Sequence, residues 1–137
     1  MKIDATTSGS LRVDVTDGVA TGVMDEPVEL GGNGDGLTPK QMLVASLGAC
    51  TALTLKLYSA RKEWPLEDVK ISVDFEEAPR TEKDAPHRFV QTVELIGDLD
   101  EAQRERLLLI AGKCPVHRIL EGPAVFEEHL VETREAE

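Results

Sequence analysis

The chain has 137 residues, 41% of them hydrophobic and 30% charged, which is enough for one hydrophobic core and too few for two, so 1–137 is read as a single domain. Its 26 acidic and 15 basic residues give a formal net charge of −11, and with no Lys/Arg cluster this excludes nucleic acid and anionic membrane surfaces as partners, since no basic field displaces phosphate counterions. Two cysteines do not make a secreted disulfide framework, and Met1–Thr7 lacks the apolar core of a signal peptide; the expected location is the cytoplasm.

Leu11–Val15 alternates apolar and charged residues as a half-buried strand does. Asp17-Gly18 punctuates it and Val19–Met24 follows, which predicts a hairpin, with Pro27–Leu30 as a short third strand. The next six residues, Gly31 to Gly36, hold four glycines. They match neither G-x-x-x-x-G-K-[ST] nor a G-x-G-x-x-G after a buried strand, so the loop is read as a turn that launches a helix, not as a phosphate cradle.

That helix, over 38–61, is the centre of the chain. Thr38 caps it, Pro39 fits the first helical position where an N–H would be unpaired, and Gln41 completes a T-x-x-Q capping box. From Met42 to Leu57 it has almost no polar face, which predicts protein around it on nearly all sides. Its middle (Ala45, Ser46, Gly48, Ala49, Cys50, Ala52) is small enough for another backbone to come close, placing Cys50 where two elements meet. The run is capped like a soluble helix, rich in Ala, Ser and Thr and short of the ~20 apolar residues of a membrane span. A chain of this length wrapping so apolar a helix is expected to complete its burial as a homodimer.

Glu63–Leu66 reads as a turn and Val69–Phe75 as a strand of period two. The charged stretch 76–87, with Pro79 and Pro86, reads as an exposed hairpin loop, and Phe89–Ile96 as the returning strand. Gly97–Asp100 ends that strand and caps a second helix with a buried stripe of Ala102, Leu107, Leu108, Ile110 and Ala111. Pro115 marks the first residue of a short third helix, with Cys114 at its N-cap. Ala124–Phe126 and His129–Val131 suggest a last strand, and Glu132–Glu137 a frayed acidic tail.

The chemistry rests on the two cysteines. Cys114, at a helix start that stabilises a thiolate, is the better candidate on bare sequence; Cys50 alone in an apolar helix reads as a small hydrophobe. Cys50, Cys114 and His117 would give only three metal ligands, with no C-x-x-C or H-x-x-x-H, so no metal centre is expected. His87 and His129 carry no assigned role.

Taken together, Gly36-Leu-Thr-Pro-Lys-Gln-Met-Leu-Val-Ala-Ser-Leu-Gly-Ala-Cys50, the strand pair after it, and Cys114-Pro-Val-His-Arg-Ile-Leu-Glu-Gly-Pro123 resemble the OsmC/Ohr family of osmotically inducible and organic hydroperoxide resistance proteins. The resemblance spans nearly the whole chain. It implies an α/β (α+β) fold with curved antiparallel sheets around the cysteine-bearing helix, an intertwined homodimer, and paired sites at the interface. It further implies a thiol peroxidase of oxidative stress defence with no metal or organic cofactor. Cys50 matches the peroxidatic cysteine, Cys114 the resolving one, and Arg12, as the only N-terminal arginine, the family's arginine. The implied partners are a peroxide or other small apolar substrate and a dithiol reductant. One position departs: family peroxidases carry a glutamate directly after the helix-starting proline, and here that residue is Lys40. The reversed charge leaves a second reading open, a binding module that holds a small apolar or thiol-reactive ligand at the interface.

Overall fold

The computed structural model describes residues 1–131; the tail expected over Glu132–Glu137 lies outside them. Three short strands, β1 (Asp4–Thr7), β2 (Val13–Thr16) and β3 (Thr21–Met24), form an antiparallel sheet in that order. The anticipated hairpin is β2–β3, in register from Val13 opposite Met24 to Thr16 opposite Thr21. Its turn is built by Asp17, whose Oδ1 accepts the N–H groups of Val19 and Ala20 at 2.9 and 2.8 Å. Strand β1 was not foreseen, because all four of its residues are exposed and no apolar alternation marks it.

The strand expected at Pro27–Leu30 is instead a single 3-10 turn over Val28–Leu30. Pro27 has no N–H to give a ladder, and its carbonyl accepts the Leu30 N–H at 2.9 Å, closing the chain on itself. The glycine-rich loop is then gathered around Asp25, a carboxylate only 2% exposed, which accepts N–H groups from Glu26, Asn33 and Asp35. Burial pushes its pKa up, but the three backbone donors and nearby Arg12 outweigh that and hold it below the ordinary carboxylate value.

Helix α1 (Pro39–Lys62) begins on the anticipated capping box: the Thr38 hydroxyl accepts the Gln41 N–H at 3.2 Å, and Gln41 Oε1 accepts the Thr38 N–H at 3.0 Å. It packs on a long antiparallel pair, β4 (Leu66–Glu76) and β5 (Arg88–Gly97). Here the approach is close at Gly48, where an added Cβ would stand 3.2 Å from a Val73 methyl. Helices α2 (Glu101–Ala111), capped by Asp100, and α3 (Pro115–Glu121) also lean on α1. The core is Leu55, Leu99, Leu107, Ile110 and Ala111, with Tyr58, Trp64, Leu66, Val69, Val93 and Leu95 packed against it.

Three further expectations need correction. Leu108 is 62% exposed and Ala102 is exposed, so the buried stripe of α2 is narrower than its apolar content suggests. Residues 124–131 form no strand, and Val125, Phe126, Leu130 and Val131 are exposed; a segment becomes a strand only where a sheet edge accepts its ladder, and among the described residues none pairs with this one. Finally, α1 is not enclosed on all sides. Its buried residues, Leu47, Gly48, Thr51, Leu55 and Ser59, recur at helical spacing on one face, while Leu53 and Leu57 on the opposite face are 63% and 64% exposed. Although α1 is long and apolar enough to cross a membrane, its inner face is a core face of this fold.

Candidate functional site

Cys114 is wholly buried, and it occupies the N-cap of α3 as the sequence predicted. The backbone there is extended, and the sulfur turns inward to accept the His117 N–H at 3.3 Å. A second donor reaches the same sulfur: the Thr51 hydroxyl on α1, at 3.7 Å and itself wholly buried. Thr51 directly follows Cys50. The fold thus carries Cys114 across 64 positions of chain to the turn of α1 that bears the other cysteine. Both are free thiols, Cys114 buried and Cys50 partly so.

A cavity of about 940 Å³ opens on this side of α1. Leu43 and Leu47 of α1, Phe75 of β4, Phe89 of β5 and Leu120 of α3 give it an apolar floor, with the Phe75 and Phe89 ring centroids 4.7 Å apart. Leu43 and Leu47 line the cavity and Cys50 follows three residues after Leu47 on α1, but Cys50 itself is not one of the lining residues. The β4–β5 loop forms a polar rim. Its end is fixed where His87 Nδ1 accepts the Ala78 N–H at 2.9 Å, and His117 on the opposite wall pairs with Glu121 at 2.7 Å.

Lys40 does not face a cysteine. Its ammonium meets Glu77 at 2.5 Å, just beyond the end of β4, and its hydrogen bond and charge hold the Glu77 carboxyl below the ordinary range. An acid–base pair therefore still stands at the mouth of the cavity, with the carboxylate supplied by a strand end and the cation by the helix. Arg12 is elsewhere: its guanidinium bridges Asp14 at 3.1 Å and Asp35 at 3.6 Å, and among its described hydrogen bonds and ion pairs none runs to a cysteine. Among the described residues no group of three His, Cys, Asp or Glu side chains is placed to hold a metal ion.

Thr51 and Glu77 escaped the sequence reading. A threonine after a cysteine in an apolar helix looks like filler, and Glu77 is one of many acids in a charged loop; only the packing of α3 and β4 on α1 singles them out.

A family model described as OsmC-like protein matches residues 32–129. The chain belongs to the OsmC-like protein family. Solved structures share the OsmC-like fold over almost the whole chain. An OsmC-like protein of Mycoplasma pneumoniae superposes with a TM-score of 0.73 at 18% identity, covering 88% of this chain and 86% of that one. An organic hydroperoxide resistance protein OsmC of Legionella pneumophila gives 0.61 at 24% identity, covering 88% of each chain. The organic hydroperoxide resistance protein OhrB of Bacillus subtilis gives 0.58 at 21% identity, covering 88% of this chain and 90% of that one. Among curated proteins none matches in sequence.

Proposed function

We propose that this OsmC-like protein is a cytoplasmic homodimer that reduces organic hydroperoxides by a two-cysteine mechanism in oxidative stress defence. The observation that carries the reading is the buried Cys114 sulfur hydrogen-bonded to Thr51, the residue next to Cys50, beside an apolar cavity. The Cys50 thiolate attacks the terminal peroxide oxygen; the O–O bond breaks, the alkoxide leaves as alcohol after taking a proton, and Cys50 becomes a sulfenic acid. The Cys114 sulfur then attacks the Cys50 sulfur, the S–O bond breaks, water leaves, and a disulfide remains for an external dithiol to reduce. Leu43, Leu47, Phe75, Phe89 and Leu120 would take the organic part of the peroxide. The bare outer face of α1 supports the second copy, from which Arg12 would be offered, since within one chain its charge faces Asp14 and Asp35.

The reversed charge at Lys40 favours the alternative, a module that retains a small apolar or thiol-reactive ligand in the same cavity without turnover. A free-thiol count on reduced protein, before and after brief exposure to an equimolar organic hydroperoxide, separates the two. Fast loss of both thiols, reversed by a dithiol, is the expected result; loss no faster than that of free cysteine would overturn the peroxidase reading.

A further inference from the structure

Serine and threonine hydroxyls inside helices commonly turn back to a carbonyl three or four residues earlier, as Ser46 does to the Leu43 carbonyl at 2.7 Å. Thr51 instead directs its hydroxyl across the interior to the Cys114 sulfur. With the His117 N–H it fixes that sulfur from two directions in a site with no exposure. One donor comes from α3 itself. The other comes from α1, and so registers the sulfur against the helix that carries Cys50.

We infer that Thr51 is a positioning residue for Cys114, holding its sulfur for attack on a sulfur-linked adduct at Cys50. The inference rests on the two-cysteine reading for the pairing of the thiols, but not on the identity of the oxidant. Without the hydroxyl, Cys114 keeps only the donor on its own short helix, and its sulfur is free to take rotamers that point away from α1. The first chemical event, at Cys50, does not use this hydrogen bond.

An aromatic disulfide, dithionitrobenzoate, tests this without a peroxide. The Cys50 thiolate attacks one sulfur of the reagent, the reagent's S–S bond breaks, and one thionitrobenzoate leaves with the electron pair. Cys114 then attacks the Cys50 sulfur of the mixed disulfide and expels the second thionitrobenzoate, leaving the protein disulfide. The two releases are read by absorbance in stopped flow, on the full chain. Thr51→Val is expected to slow the second release about tenfold and leave the first within about twofold, the effect of losing one hydrogen bond that orients a reacting atom. Thr51→Ser, which keeps the hydroxyl, is expected to restore it. Should Thr51→Val not fold, Thr51→Ala carries the same comparison. An unchanged second release, failure of Thr51→Ser to restore it, or a single release in the unaltered protein would overturn the inference. A protein that ignores hydroperoxides yet shows the Thr51-dependent second release would refute the peroxidase reading and leave this one standing.

Discussion

Leu53→Glu tests the bare face of α1. Within one chain Leu53 is 63% exposed, on the side of the helix opposite buried Thr51 and Leu55. Covering the rest of a leucine is worth about 1–2 kcal/mol, taking full burial as roughly 1.5–3 kcal/mol. In a two-fold dimer each copy contributes the same residue, so the change counts twice, about 2–4 kcal/mol, before any cost of placing carboxylates in the interface. At 1.4 kcal/mol per decade the dimer dissociation constant should rise about 30- to 700-fold. Sedimentation equilibrium over a range of concentrations would read this directly, with circular dichroism to confirm that the monomer keeps its fold, since Leu53 touches little of it. An unchanged dimer constant in a folded Leu53→Glu protein would show that the outer face of α1 is not where copies meet.

Asp25 gives a pH signature: its folded pKa lies below the ordinary value of 3.8, so its contribution to stability is complete above that value and is lost as pH falls through the folded one. Denaturant titrations of Asp25→Asn should show lower stability at neutral pH and a flatter acid limb; parallel curves would refute the role. Gly97 has φ of +150°, and an added Cβ would stand 2.2 Å from the Pro65 carbonyl oxygen, so Gly97→Ala should cost at least about 2 kcal/mol in chemical unfolding. Lys40→Glu sets a second carboxylate against Glu77 and should speed proteolysis within the 77–87 loop several-fold, with Glu77→Lys in the same chain restoring resistance. No change in cleavage would mean that the pair does not hold the loop.

Elements whose signal is local were legible from sequence. The Thr38 and Asp100 caps, the period-two strands around Ile71 and Val93, and Cys114 at the start of a short helix all depend on residues a few positions apart. What escaped depends on chain brought together from a distance. The pairing of Lys40 with Glu77 and of Thr51 with Cys114 appears only once β4 and α3 lie on α1, and no spacing announces either. Composition misled where apolar content was read as burial within one chain. The apolar run of α1 and the segment around Phe126 signalled burial, but in a single copy Leu57 and Phe126 stand exposed. The resemblance supplied the pairing of the two cysteines, which a separation of 64 positions could not.

The first three strands add no residue to the core cluster, whose members and packing partners all lie at Leu55 or beyond. What fastens them is local: the Asp25 carboxylate on its loop, the Asp25 N–H bonded to the Leu37 carbonyl at 3.1 Å, and the short bridge between Met24 and Leu37. The family model begins at residue 32, close to this seam. The N-terminal sheet is thus hinged on the cysteine-bearing body at one seam, so loosening the Asp25 loop would release the sheet as a unit while the packing of the body stays intact.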